Sequence, residues 1–215
     1  MRKAIFGGTF NPIHYGHLRI AEEAREALSL DRVIFIPTSI TPHKAGEILT
    51  SPEDRLEMVN ISIKDNPGFE VSDIEIRRGG RSYTIDTVTE LKEQGGAELR
   101  LSLIIGNDSF NDITTWCEFE KLFTLADFII VPRPGYPVKK PGEVLPVELA
   151  RKFWYDPKTG AFQNSYGNTL TYLNTTLMDI SSSDIRSGIK EGRSVRYLLP
   201  DAATGYINKK GLYRS

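Results

Sequence analysis

The segment that most constrains this chain lies at its start. A short apolar run, Ala4-Ile5-Phe6, passes directly into Gly7-Gly8-Thr9-Phe10-Asn11-Pro12-Ile13-His14-Tyr15-Gly16-His17. An extended stretch over residues 2–6, ending in paired glycines and followed by a helical pattern from about Gly16 to Ser29, is a strand–turn–helix unit. Glycine lets the main chain turn sharply and approach an anion closely. The helix that follows points its free N–H groups and the positive end of its dipole at the same place. His14 and His17, three residues apart, fall on one face of the first turn. Two imidazoles beside such a turn can donate hydrogen bonds to phosphoryl oxygens without a fixed charge. All three histidines of the chain, His14, His17 and His43, lie within its first 43 residues. They fall in the segments after the first two strands, which favours a shared task.

The rest of the chain repeats the alternation of strand and helix. Val33 to Ile36 is a continuous apolar run of buried-strand type, ended by Pro37. Ser51-Pro52-Glu53-Asp54 is a helix start, with a cap, a proline in the first turn and then acids, and the helix runs to about Asp65. Phe69 to Ile76 reads as extended and alternating, Thr84 to Gln94 as a helix closed by Gly95-Gly96, and Leu99 to Ile105 as a central strand. Phe128 to Val131 is a further strand, stopped by Pro132. Five prolines and two glycines between residues 132 and 146 predict a loop. Residues 153–175 read as a hairpin beside the main sheet, and 183–191 and 200–208 as C-terminal helices packed on the core. This order predicts an α/β fold: a doubly wound, Rossmann-like parallel sheet with helices on both faces. Ligands of such sheets bind beyond the carboxyl ends of the strands. The segments after strands 2–6, 33–36 and 99–105 all carry chemistry-bearing residues.

Composition narrows the classes. A chain of 215 residues is long enough for one sizeable core and short for two, so one domain over 1–215 is expected. A net charge of −1 gives no broad basic surface for nucleic acid, although a few local cations can hold several phosphates. The one cysteine, Cys117, excludes an intrachain disulfide framework and fits a reducing cytosol. Its neighbours Trp116 and Phe119 suggest a buried structural thiol. The apolar run before Gly7, Ala4 to Phe6, is only three residues long, and the longest apolar runs are far too short for a bilayer. A cytoplasmic protein with no membrane partner is expected. The oligomeric state is not readable, and a homo-oligomer is compatible with the sequence.

At this point the motifs resemble a known family. Residues 7–17 match the nucleotidyltransferase signature G-G-x-F-x-P-x-H-x-G-H, and Ile180-Ser181-Ser182-Ser183-Asp184-Ile185-Arg186 resembles its partner signature I-S-S-T-x-I-R. Thr41-Pro42-His43-Lys44, Arg81 to Thr87, and Ile105-Gly106-Asn107-Asp108 followed by Trp116 narrow the likeness to the bacterial nicotinate mononucleotide adenylyltransferases. The resemblance runs from residue 2 to the C-terminus and weakens between about 134 and 176. Asn11 stands where many members carry aspartate, Thr41 where proline is common, and Ser183 where threonine is frequent.

The resemblance implies adenylyl transfer from ATP to nicotinate mononucleotide, a step of NAD biosynthesis. The attacking phosphate is already an anion, so positioning and charge stabilisation suffice. Main-chain N–H groups around Gly8, Thr9 and Phe10 are expected to cradle phosphates. His14 and His17 are expected to hydrogen-bond the α- and β-phosphates. Ser181 and Ser182 would present donors at a helix start, and Arg186 would reach the β- and γ-phosphates with its planar fork. Gly106 and Asp108 would meet the ribose of ATP, and magnesium would arrive with the triphosphate. Lys44 would hold the mononucleotide. Main-chain groups at Tyr83 and Thr84 would take the pyridine carboxylate, and Trp116 would stack on the ring. Blander readings stay open: Ser181 to Ser183 as a plain cap, Arg186 as a surface residue, Lys44 as a solvated loop lysine, Trp116 as a core aromatic. The functional alternatives are a relative with a nicotinamide mononucleotide or phosphopantetheine acceptor, and a non-catalytic nucleotide sensor on the same fold.

Overall fold

The computed structural model describes residues 1–39 and 50–214. It opens with β1 (Arg2–Gly8), α1 (Tyr15–Ala27) and β2 (Arg32–Pro37), continues through α2 (Pro52–Ile63) to the short β3 (Phe69–Val71), and then turns through α3 (Ile74–Arg78). After α4 (Thr84–Gly95) come β4 (Arg100–Gly106), α5 (Asn107–Asn111), a 3-10 turn over Ile113–Thr115, α6 (Phe119–Leu125) and β5 (Asp127–Val131). The last third holds two one-turn helices, α7 (Pro141–Val144) and α8 (Val147–Ala150). Strands β6 (Phe153–Asp156), β7 (Ala161–Asn164) and β8 (Thr169–Tyr172) and helices α9 (Ser182–Lys190) and α10 (Asp201–Lys210) complete it.

One sheet runs in the order β3-β2-β1-β4-β5-β8-β7-β6. From β3 to β8 every neighbour pair is parallel; the β8–β7 and β7–β6 pairs are antiparallel, so β7 alone runs against the rest. The register sets Ile5 beside Ile34 on one side and Leu103 on the other. Side chains alternate across the pleat and both faces are covered. Ile5, Ile34, Leu103 and Ile130 pack with Ile85, Val88, Phe110, Leu122 and Phe123, the buried faces of α4, α5 and α6. Ala4, Phe6, Val33, Phe35 and Ile129 pack with Ala21, Ala24, Met58, Val59, Ile185 and Ile207 on the opposite side. The doubly wound α/β sheet expected from sequence is therefore what the chain forms. Among the described residues no helix is long and apolar enough to cross a membrane.

Three local expectations need correction. The alternating stretch 69–76 is extended only to Val71; residues 74–78 turn into α3, whose Arg77 pairs with Asp73 at 2.9 Å. Four residues of alternation do not separate a strand from one helical turn. The hairpin at 153–175 does not stand beside the sheet but extends it, because β8 pairs parallel with β5. The proline-rich loop ends in α7, where Pro141 occupies a first-turn position that needs no N–H donor.

Strand order also places the site. The chain winds outward from β1 to β2 and β3, then returns to lay β4 on the other side of β1. The loops leaving β1 and β4 therefore diverge, opening a crevice between the carboxyl ends of those two strands. A buried arginine holds the crevice on one side. Arg55 is 1% exposed on α2 and donates to the carbonyls of Thr9, Thr38, Ser39 and Thr50 at 2.6–3.1 Å. It thereby joins the turn after β1 to the turn after β2. Carbonyl dipoles receive this guanidinium, and burial lowers its pKa. Replacing Arg55 by Met keeps the stem but removes the donors, leaving carbonyl groups unsatisfied at a cost of about 3 kcal/mol. Urea unfolding of Arg55→Met is expected to show that loss; a change under about 0.5 kcal/mol would contradict the role.

Candidate active site

Between β1 and α1 the chain makes a tight turn around Phe10. Phe10 takes a left-handed conformation, φ 47°, and buries its ring to 2% exposure. That ring occupies the space a side chain at position 8 would need: an added Cβ at Gly8 would lie 3.1 Å from Phe10 Cζ. The requirement for glycine at position 8 is therefore met from inside the protein. Past Phe10, Asn11 is almost wholly buried. Its Oδ1 accepts from the Tyr213 hydroxyl at 2.8 Å, which ties the turn to the C-terminal segment.

The histidines follow at the mouth of α1. The helix starts at Tyr15, so His14 is the extended N-cap residue rather than a member of the first turn. Its backbone N–H donates to His17 Nδ1 at 3.2 Å. The two rings stack with centroids 3.7 Å apart and an interplanar angle of 31°. Phe10 sits edge-on to His17 at 5.1 Å. His17 thus accepts at Nδ1, and a neutral imidazole that does so carries its proton at Nε2. Burial holds both rings neutral. It lowers His14 to about 4 and pushes His17 well below the usual histidine range, with His14 and Arg133 adding to the effect on His17. His14 Nδ1 is buried and finds no hydrogen-bond partner among the described residues.

The second signature converges on this turn from 170 and 175 positions away along the chain. Arg186 on α9 donates from Nη1 to the carbonyl of Asn11 at 2.9 Å. Ser182 Oγ donates to the carbonyl of Pro12 at 2.8 Å. Ser181 caps α9 through Asp184 N–H at 3.0 Å, so its plain capping role is present. Gly16 faces the same junction. A Cβ there would stand 3.0 Å from His14 Nδ1 and 3.9 Å from the carbonyl oxygen of Ile180.

Beside the turn, in the crevice between β1 and β4, lies a cavity of about 420 Å³. Gly8, Thr9 and Gly106 line it at the strand ends, with Tyr83 and Thr84 at the start of α4 and Trp116 beyond the 3-10 turn. Trp116 is half-buried and packs against the core while facing the cavity, so both readings of this residue hold together. Gly106 caps α5, whose Asp108 carboxylate pairs with Arg133 Nη1. The acid expected at the ribose is thus already held by a guanidinium. Lys44, with Thr41 to His43, lies outside the described residues. Cys117 is exposed at the cavity rim instead of buried. The chain adopts a left-handed conformation at Glu118, φ 47°, before α6 begins, which separates Cys117 from the buried positions that follow.

Several site residues carried no local motif. Arg133 pairs with Asp108 and acts electrostatically on His17; its only sequence mark is its place between Pro132 and Pro134 just after a strand. Arg55 occupies the buried stripe of α2 with Met58, Val59 and Ile63, a helical spacing at which a charged residue is informative. Glu75, buried in the cavity wall, was hidden in the stretch read as extended. Among the described residues no group of three or more His, Cys, Asp or Glu could hold a metal ion.

Comparison with known proteins agrees with this architecture. Residues 5–188 match the family described as Cytidylyltransferase-like. A probable nicotinate-nucleotide adenylyltransferase of Citrifermentans bemidjiense is 52% identical over 215 residues, covering 99% of this chain and 98% of that protein. This chain belongs to that family. A relative of the same description from Desulfitobacterium hafniense is 46% identical over 213 residues, again covering 99% of this chain. Among solved structures, Plasmodium falciparum nicotinic acid mononucleotide adenylyltransferase complexed with NaAD superposes with a TM-score of 0.73 at 21% identity, covering 99% of this chain and 97% of that one. At that identity the likeness concerns the fold.

The His14 ring accounts for the third glycine of the adenylyltransferase signature, Gly16. Alanine at position 16 favours a helix over glycine by about 1 kcal/mol, yet its methyl must displace that ring. Gly16→Ala is expected to keep or raise the melting temperature while cutting turnover roughly tenfold or more through misplacement of His14. Unchanged turnover in a stable Gly16→Ala protein would contradict that account.

Proposed function

We propose that this protein transfers the adenylyl group of ATP to nicotinate mononucleotide, releasing nicotinate adenine dinucleotide and pyrophosphate. The observation that carries the reading is the meeting of His14, His17, Arg186 and the start of α9 at one turn, beside a cavity in the β1/β4 crevice. Full-length relatives described as nicotinate-nucleotide adenylyltransferases support it.

The chemistry asks little covalent work of the protein. A phosphate oxygen of the mononucleotide attacks the α-phosphorus of ATP, the bond to the bridging oxygen breaks, and pyrophosphate departs with the electron pair. The nucleophile needs no deprotonation by a side chain. Catalysis then rests on alignment and on donors aimed at developing charge. His17, with its proton fixed at Nε2 by the helix cap, and the stacked His14 supply neutral donors to the α- and β-phosphates. A cationic pair so close together would be self-repelling; a neutral pair is not, and its polarity strengthens in a dry site. Arg186 supplies the planar fork for the outer phosphates. The N-terminus of α9 and main-chain N–H groups of residues 8–10 complete the cradle. Magnesium would enter bound to ATP, since this cation keeps waters and binds substrate phosphates.

The mononucleotide occupies the cavity. The N-terminus of α4 at Tyr83 and Thr84 receives the carboxylate of the ring, and the indole of Trp116 stacks on its electron-poor face. The Asp108–Arg133 pair borders the ribose; Lys44 is assigned to the mononucleotide by the family resemblance alone. A cytoplasmic setting suits an exposed lone thiol at the rim.

The assay that tests this incubates the protein with magnesium-ATP and, in turn, nicotinate mononucleotide, its amide analogue and phosphopantetheine, and follows pyrophosphate. Fastest release is expected with nicotinate mononucleotide. His17→Ala is expected to lower kcat by roughly two to three orders of magnitude, the size found for loss of a transition-state donor. Release with no acceptor would contradict the reading, and near-normal turnover of a folded His17→Ala protein would remove the role of that ring.

A further inference from the structure

Glu75 has no task in the mechanism above. It lies on α3, is 6% exposed and lines the same cavity as Tyr83, Thr84 and Trp116. Its Oε1 accepts from Thr87 Oγ1 at 2.8 Å. Its Oε2 is buried and finds no hydrogen-bond partner among the described residues. Thr87, itself buried on α4, also accepts from Arg78 Nη1 at 3.2 Å, while Arg78 Nη2 pairs with Glu90 at 2.7 Å. The nearby guanidinium therefore reaches Thr87 and Glu90, and Glu75 Oε2 sits buried in the cavity wall without a well-formed hydrogen bond among the described residues, although the Ser82 hydroxyl still favours the ionised carboxyl.

A carboxyl in such a wall acts through its charge. On the reading above, the cavity receives a pyridine ring whose substituent is anionic in the acid and neutral in the amide. An ionised Glu75 repels the first and barely affects the second; a protonated Glu75 repels neither. We propose that Glu75 tunes how far this cavity discriminates between an anionic and a neutral ring substituent, its ionised form weakening the preference for the anion. The inference rests on the assignment of the cavity to the mononucleotide.

The surroundings give the effect its sign. Burial raises Glu75 above the ordinary carboxylate range, and Asp86 on α4 adds to the rise. The hydroxyls of Thr87 and Ser82 and the Arg78 guanidinium act in the other direction. Arg81, Tyr83 and Cys117 are the remaining charged or titratable residues lining the cavity. As pH rises Glu75 ionises, so preference for the acid falls. The phosphate of the mononucleotide, His14 and His17 serve both substrates alike and cancel in a ratio.

The test measures kcat/KM for nicotinate and nicotinamide mononucleotide between pH 5 and 8, in the wild type and in Glu75→Gln. The wild-type ratio of acid to amide is expected to fall by roughly tenfold as Glu75 ionises, the size of one charge acting across a partly desolvated cavity. Glu75→Gln, neutral throughout, is expected to hold the high ratio with no bend. Thr87→Val removes a hydroxyl that favours the ionised form, so the bend moves to higher pH, a displacement that a merely structural role would not produce. A wild-type ratio without a bend, or the same bend in Glu75→Gln, overturns the proposal. Should Glu75→Gln fail to fold, the wild-type bend and its displacement in Thr87→Val decide. Failure of the mononucleotide reading itself looks different: the wild type would then release no pyrophosphate with either compound.

Discussion

The site depends on one short hydrogen-bonded corner, in which the N–H of His14 closes the start of α1 onto the Nδ1 of His17. That bond satisfies a helix-terminal donor, fixes the tautomer of His17 and draws the two rings into contact. Its neighbours are arranged to protect it. Phe10 folds back under Gly8 and presents its edge to His17, and Gly16 leaves room for the His14 ring. Gly8 and Gly16 of the signature are explained by the space that these rings fill; Gly7, where a Cβ would meet nothing, is not.

From this corner the larger architecture follows. The reversal of strand order between β1 and β4 opens the crevice, and the strand ends bring Gly8 and Gly106 to its two sides. Arg55 braces the turns after β1 and β2 from inside the fold, and α9 closes from the far end of the chain onto the carbonyls of Asn11 and Pro12. On the proposed function, this divides the labour: a polar corner of neutral imidazoles and an arginine for the triphosphate, and a more apolar cavity, walled by Trp116 and Glu75, for the acceptor. Each half has its own electrostatic setting, since burial keeps the histidines uncharged and lifts Glu75 toward its neutral form.

Much of this was legible in the sequence because it is encoded locally. A strand, a glycine turn and a histidine pair within sixteen positions specify their own geometry, and alternation of apolar runs with capped helices specifies a doubly wound sheet. What could not be read depends on contacts between distant segments. Arg133 comes within electrostatic reach of His17 through the pairing of β5 with β4, and Glu75 becomes part of the cavity because residues 74–78 coil where the alternating stretch 69–76 suggested a strand. Cys117 was misjudged from its buried neighbours; a left-handed residue at position 118 separates it from them. Arg55 was the nearest miss, since an arginine on the apolar stripe of a well-capped helix already asks where its donors go.

The central claim is that the corner presents two neutral imidazoles to the triphosphate, with His17 protonated at Nε2. Nitrogen-15 NMR of the histidine rings, recorded against pH with and without a non-hydrolysable ATP analogue, measures this directly. The account predicts that in the free protein His14 titrates near 4, that His17 lies well below the ordinary histidine range in the Nε2–H form, and that both move upward when the anionic ligand binds. Two rings titrating near 6.5, the ordinary histidine value, with no response to the analogue, would contradict it.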